Sequence, residues 1–455
     1  MSRNGFAALG AVASACGLAV VAGGAVGAVP ALAAAARSTV RAARMAAPPN
    51  PQPETPANAT PTNSNCQNTT QAPGMGANVV TLTSTPWAQT ALNFESVWNQ
   101  LGDEGQGVTV AVIDSGVDYN AQLAGRVKAI DLTTTGIQDC VLHGTAVAGI
   151  IAASNEEAAG SAFNPFTGVA PKADILSVKV SDSDTTSTQD PQLTGDSTTL
   201  SDGIVDAVNL GASVLSISIV TSNSSQLEDA VQYAEEHNVV VVAASGNDSP
   251  GGAKGPFYPA SYPGVLSVGA VASDGSLADF TDPNTQESVT APGVNVTSIQ
   301  PGGFSDQISG TSFATPFVSG VAALVRSYYP HMSAAEVVAR IEATADGPIA
   351  PITGNGMVNP LQAVQAVLPS STNPNASSGP GTVRPVSVSR PAPPDQSMIN
   401  TAMGTTAGAV AAVAIVAIGA VSISQRRRRR RGQATPPPDT KVPADVELAD
   451  SPLWE

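Results

Sequence analysis

Five stretches of the chain are apolar on consecutive rather than alternate positions: GVTVAVIDSG at 107–116, ADILSVKV at 173–180, ASVLSISIV at 212–220, NVVVVAAS at 238–245 and GVLSVGAV at 264–271. A strand covered on both faces needs no polar alternation, so this pattern predicts parallel strands buried on both sides. Segments with helical spacing lie between them, among them TLSDGIVDAVNLG and SQLEDAVQYAEEHN. Repetition of strand, helix, strand predicts an α/β fold with a doubly wound parallel sheet flanked by helices. No internal repeat is visible.

The pattern marks residues 87–368 as one folded domain, and the texture changes on either side of it. Residues 1–35 read as a secretory signal peptide: Arg3 precedes a long uncharged run that ends in the small residues Ala31-Leu32-Ala33. A lipid anchor on Cys16 fits less well, because Ala13-Ser14-Ala15 ahead of it lacks the usual Leu. Residues 36–86 are rich in Pro, Asn and Thr without apolar periodicity and predict an extended arm. Residues 369–402 form a Pro/Ser-rich linker. Residues 403–424 then predict a C-terminal transmembrane helix, since Met403 to Ile423 runs 21 residues without a charge. That length suffices to cross a hydrocarbon core of about 30 Å. Residues 425–455 hold six consecutive arginines, Arg426 to Arg431, and a polar, Pro-rich tail. Arginines beside an apolar span stay on the cytoplasmic side, so the expected topology is single-pass, with the folded domain extracytoplasmic and the C-terminus cytoplasmic.

Charge removes one class of function. The formal net charge is −16, and between Met45 and Asn400 there are 31 Asp and Glu against 9 Lys and Arg, a balance of −22. A body this acidic repels DNA, RNA and anionic lipid, which excludes nucleic acid as a partner of the folded domain. Of the three cysteines, Cys16 lies in the segment expected to be removed, leaving Cys66 and Cys140 as an even pair in an exported chain.

Three segments bring candidate chemistry. Asp114 ends the stretch VTVAVID, at the carboxyl end of a strand, where open α/β sheets place their sites. His143 opens HGTAVAGIIA, just ahead of a helix of small residues, and His occurs only three times in the chain. Ser312 follows a Gly-Thr turn in SGTSFATPFVSGVAALV, at the start of an apolar helix with Pro316 expected in its first turn. Taken singly, each has a plain structural reading: a turn or capping Asp, a structural His, a helix-capping Ser. Taken together they supply what nucleophilic acyl transfer needs, with Ser312 as nucleophile, His143 as base and acid, and Asp114 orienting the imidazole. Asn247, in AASGND, follows a strand and a Gly, and its amide is a candidate donor to an oxyanion beside the Ser312 backbone N–H. Trp87 and Trp98 are expected to anchor in the core, and His237 and His331 to lie at the surface at helix ends.

These motifs, VIDSGVD, HGTAVAG, AASGN and GTSFATP, resemble the subtilisin-type serine proteases, as do GVAPKADILSVKV, YPASYPGVLSVGAV and TAPGVNV. The resemblance spans residues 105–345. It implies a serine endopeptidase acting on protein or peptide substrates, without an organic cofactor. It also implies a substrate-binding role for Ser216, Ser218, Val220, Ala244, Ser245 and Gly246. The chain departs from the family at Ser218-Ile219-Val220, where Val replaces the usual Gly and narrows the space beside the peptide. The loop at 154–168 differs from the usual calcium-binding stretch, so Glu156 and Glu157 read as surface charge and no metal is expected.

The order of segments is similar to a narrower group, the mycosins: signal peptide, Pro-rich arm with one Cys, a second Cys before the His, Pro-rich linker and membrane helix. That likeness implies a place beside a type VII secretion core complex and processing of its exported substrates. Two other roles share these residues: a mainly structural part in the complex, and general surface proteolysis. The likeness also implies a disulfide between Cys66 and Cys140 that pins the arm beside His143. A bridge closing a loop of this length contributes roughly 4 to 5 kcal/mol in the chain-entropy model.

Overall fold

The computed structural model describes residues 52–55, 75, 79–154, 165–182, 196–247, 255–347 and 353–368. The expected signal peptide, linker, membrane helix and arginine-rich tail, along with Cys66, Glu156 and Glu157, lie outside the described residues. Among the described residues, no helix is long and apolar enough to cross a membrane.

Two short helices, α1 (Trp87–Leu92) and α2 (Glu95–Leu101), lead into the first strand, β1 (Thr109–Asp114). There follow β2 (Val127–Asp131), α3 (His143–Ala152), β3 (Asp174–Lys179), α4 (Ser197–Asn209), β4 (Val214–Ile217), α5 (Ser225–Glu236) and β5 (Val240–Ala244). The chain continues through β6 (Leu266–Val271), β7 (Val289–Pro292), β8 (Val296–Gln300) and β9 (Gly303–Ile308). It closes with α6 (Thr311–Tyr328), α7 (Ala334–Ala343) and α8 (Pro360–Gln365).

The first seven strands form one sheet in the order β2-β3-β1-β4-β5-β6-β7, every pair parallel. All five stretches read as buried strands are in it. Alternate residues of β1 go to opposite faces: Val110 and Val112 join the core under α3 and α6, while Ala111 and Ile113 join the core under α4 and α5. Both faces are therefore apolar, which is why the stretch shows no polar alternation. The order in which strands are added across the sheet reverses at β1, which has β3 on one side and β4 on the other. Such a switch point leaves a crevice at the carboxyl ends of the strands, and Asp114 ends β1 there.

Other elements were not legible. β2 carries Lys128, exposed, and follows Arg126; as the edge strand it lacks the continuous apolar run. The ribbon β8-β9 is antiparallel and departs from the βα pattern. The arm contributes to the fold at two described points: Glu54 pairs with Ala129 on the β2 edge, and Val80 pairs with Phe304 on β9. An edge covered this way has fewer free backbone groups to template pairing with another chain. Trp87 and Trp98 are only partly buried against the core and donate their indole N–H groups to Asn295 O and Val169 O.

Candidate active site

Helix α6 is buried along almost its whole length, and Phe313, Phe317, Val318, Val321 and Leu324 pack into the core that also covers β4 to β6. Each such side chain contributes roughly 1.5 to 3 kcal/mol, so the helix that carries Ser312 is a fixed platform. Its cap is Gly310, and Ser312 is the second helical residue, so Ser312 does not serve as the N-cap. Pro316 lies inside the helix rather than in its first turn. Having no N–H, it cannot bond the Ser312 carbonyl four residues back. That carbonyl instead accepts from the Ser218 hydroxyl at 2.8 Å, which ties the segment after β4 to the backbone of Ser312.

Helix α3 reaches the same crevice from the other side. Gly144 packs so closely that a Cβ there would stand 2.1 Å from Gly116 O and 3.1 Å from Asp114 Cβ. Only glycine lets His143 approach the end of β1 this closely. The residue ahead of the histidine, Leu142, has φ +67°, a left-handed conformation rare for a branched aliphatic residue.

These placements join three residues far apart in sequence. His143 Nδ1 lies 2.8 Å from Asp114 Oδ1 and 3.0 Å from Oδ2, and His143 Nε2 lies 3.0 Å from Ser312 Oγ. A carboxylate accepts only, so Asp114 selects the tautomer with the proton on Nδ1 and leaves Nε2 to accept from the serine hydroxyl. The Phe313 ring packs on the imidazole at a centroid distance of 4.8 Å. Asp114 Oδ1 also accepts from the Ser115 backbone N–H at 2.7 Å.

Asn247 stands across from Ser312. Its Oδ1 accepts from both Thr311 N and Thr311 Oγ1, each at 2.9 Å. The Nδ2 group lies on the Gly310 side, where a Cβ added to Gly310 would stand 3.4 Å from it and 2.9 Å from Ser312 Oγ. The Ser312 backbone N–H belongs to the first turn, whose amides have no intrahelical acceptor. Thr311, which orients Asn247 and also accepts from Gly246 N at 3.2 Å, was not singled out from the sequence. A Thr between Gly and the nucleophile carries no pattern that distinguishes an orienting hydroxyl from a turn residue.

The six expected substrate-binding residues divide. Ser216 is fully buried within β4, and Ser245 is fully buried with its hydroxyl on Glu287 at 3.2 Å. Burial pushes that Glu287 carboxyl up to about 8. Ser218 contacts the Ser312 carbonyl as described. Val220 and Ala244 form a small buried cluster with Phe257. The Phe257 ring packs against Gly246, where a Cβ would be 2.2 Å from Cδ2, and Gly246 has φ +103°. Phe257, invisible as a site residue in the sequence, therefore fills the space between the segments after β4 and β5. Cys140, three residues before His143, is disulfide-bonded, while its expected partner Cys66 lies outside the described residues. His237 and His331 are exposed. Among the described residues no His, Cys, Asp and Glu cluster has the arrangement of a metal site.

Known proteins resemble this chain over most of the described domain. The subtilase family model matches residues 105–381. A thermostable alkaline protease of Halalkalibacterium halodurans is 38% identical over 291 residues, covering 63% of this chain and 75% of that protein. Mycosin-4 of Mycobacterium tuberculosis is 35% identical over 360 residues, covering 69% of this chain and 77% of its own length. Among solved structures, the MycP3 protease from the type VII (ESX-3) secretion system is similar at 34% identity and a TM-score of 0.55, over 66% of this chain and 92% of that one. Matching over this much of the sequence and the same parallel sheet, the chain belongs to the subtilase family of serine proteases and, within it, to the mycosins.

Proposed function

We propose that the chain is a membrane-anchored, extracytoplasmic serine endopeptidase that processes proteins exported by a type VII secretion system. The observation that carries the chemistry is the continuous contact from Asp114 through His143 to Ser312. In this reading Ser312 Oγ attacks the scissile carbonyl as His143 Nε2 takes its proton. The imidazolium then formed is stabilised by Asp114 and returns the proton to the leaving amine. The Asn247 amide and the Ser312 N–H receive the oxyanion of the tetrahedral intermediate. Water repeats the sequence on the acyl-enzyme. The secretion role rests on the likeness to the MycP3 protease and mycosin-4, and the anchor on the uncharged run Met403 to Ile423 followed by six arginines.

A membrane-impermeant, serine-directed phosphonate separates the parts of this reading. It is expected to label the chain on intact cells, and Ser312→Ala abolishes the label. Failure to label the purified chain would sink the chemistry, whereas labelling only after lysis would reverse the topology.

A narrow substrate preference is part of this reading. We expect Val220, packed with Ala244 and Phe257, to leave little room for the side chain of the substrate residue whose carbonyl acylates Ser312. Peptides with Gly, Ala or Ser there are expected to exceed those with Phe or Leu in kcat/KM by about 10- to 100-fold. Phe257→Ala should shrink that ratio by admitting the larger side chains. Equal cleavage of both peptide sets by the wild type would contradict the filled pocket.

A further inference from the structure

Behind His143 lies a second carboxylate that the acyl-transfer steps do not use. Asp139 is buried, and both its oxygens accept hydrogen bonds. Oδ1 accepts from Ser115 Oγ at 2.8 Å, Val141 N at 3.1 Å and Leu142 N at 2.8 Å. Oδ2 accepts from Thr145 N at 2.7 Å and Thr145 Oγ1 at 2.6 Å. Burial pushes the pKa of Asp139 up, while the hydrogen bonds it accepts from Thr145 and Ser115 oppose that shift.

The three elements tied by Asp139 are those that place the base. Leu142 is the left-handed residue immediately before His143, Thr145 lies in the first turn of α3, and Ser115 follows Asp114. The link through Ser115 matters most. Its hydroxyl accepts from Gly144 N at 3.0 Å and stands 2.8 Å from Asp139 Oδ1 and 3.1 Å from Asp114 Oδ1. A serine has one proton to give, and the shorter contact directs it to Asp139. The two carboxylates thus share a hydroxyl, and Asp139 decides whether that proton is withheld from Asp114. The other charged groups facing this cluster are Asp118, whose Oδ1 accepts from Asp139 N at 2.9 Å, and Lys179, which is bound to Gly136 O and Gln138 O on the same loop.

We infer that Asp139, acting through Ser115 and the Leu142 turn, is a positioning residue that sets the basicity of His143. The inference rests on the reading of Asp114, His143 and Ser312 as a catalytic triad. The negative charge of Asp139 favours the imidazolium, and by drawing the Ser115 proton toward itself it leaves Asp114 only the weaker share of that hydroxyl, at 3.1 Å. Asp139→Asn removes that charge and frees the Ser115 hydroxyl for Asp114, so both changes make His143 a weaker base. Ser115→Ala removes the hydroxyl that screens the two carboxylates, so His143 becomes a stronger base. The two substitutions therefore move the same titration in opposite directions.

The test measures the rate of Ser312 phosphonylation, and of peptide turnover per phosphonate-titrated site, against pH in the full chain. Asp139→Asn is expected to shift the acidic limb to lower pH by about half a unit to one unit. It should also lower kcat per site about 10- to 100-fold with KM little changed, as the Leu142 turn relaxes. Ser115→Ala should shift the limb to higher pH with a smaller loss of rate. A merely structural role would reduce the titrated fraction and the melting temperature while leaving both limbs in place. Unmoved limbs in both variants overturn the inference. If Asp139→Asn does not fold, Ser115→Ala alone decides, because an unmoved limb there is incompatible with a shared hydroxyl. A wild type that never reacts with the phosphonate would bring down the triad reading and the inference with it. A reactive wild type with unmoved variants would bring down the inference alone.

Discussion

Ser312→Ala is expected to lower kcat by about six orders of magnitude, with KM and the unfolding transition close to wild type. That magnitude comes from a subtilisin and is carried to this chain through the shared geometry. The reason for so large a loss is that Ser312 Oγ is the atom His143 Nε2 faces at 3.0 Å, and an alanine methyl offers nothing to deprotonate. The fold should not suffer: Ser312 is half-buried at the start of α6, and no described residue uses its hydroxyl except the histidine. His143→Ala should cost a similar factor, and the double variant little more. Once either partner is missing, the other has no proton to move, so the two losses do not add. Turnover of one peptide by the three variants, corrected for folded protein, measures this. Losses that multiply, or an alanine variant retaining a tenth of the wild-type rate, would show that the two side chains act separately.

Asn247→Ala is expected to lower kcat by about 10²- to 10³-fold while KM changes little. This range, too, was measured on a subtilisin. The split between kcat and KM follows from where the charge resides. The substrate carbonyl is neutral when bound and becomes an anion only as Ser312 attacks, so the Nδ2 donor acts mainly on the transition state. A second effect is particular to this chain. Asn247 Oδ1 satisfies both Thr311 N and Thr311 Oγ1, so truncation orphans donors at the start of the buried helix α6. Leaving a buried donor unsatisfied costs about 1 to 3 kcal/mol, which unfolding should register beside the kinetic loss. A variant that binds peptide poorly but turns it over normally would place Asn247 in substrate binding instead.

Much of this protein is legible without coordinates, for definite physical reasons. A sheet covered on both sides demands apolar residues at consecutive positions, and stretches such as VTVAVID and NVVVVAAS can satisfy little else. The short segments around Asp114, His143, Asn247 and Ser312 are legible because each combines a reactive side chain with the small residues that let backbone approach it closely. Gly144 illustrates this, since any side chain there would collide with Gly116 O. Edge and ribbon strands escaped because they answer to a different pattern. β2 has one exposed rim and tolerates Lys128, and β8-β9 pairs antiparallel outside the main sheet.

Residue types and local periodicity determined the fold class, the strand positions and the candidate nucleophile, base and carboxylate. Only the tertiary structure decided which side chains meet. Asp114 and His143 are 29 residues apart and His143 and Ser312 are 169 apart, yet each pair lies within hydrogen-bond distance. It also decided that Pro316 frees a carbonyl for Ser218, that Phe257 fills the gap beside Gly246, and that Asp139 shares a hydroxyl with Asp114. Such residues carry no local signature, because their role lies in a distance set by the packing of helices across a sheet. A sequence specifies that packing through its whole core and not at any single position.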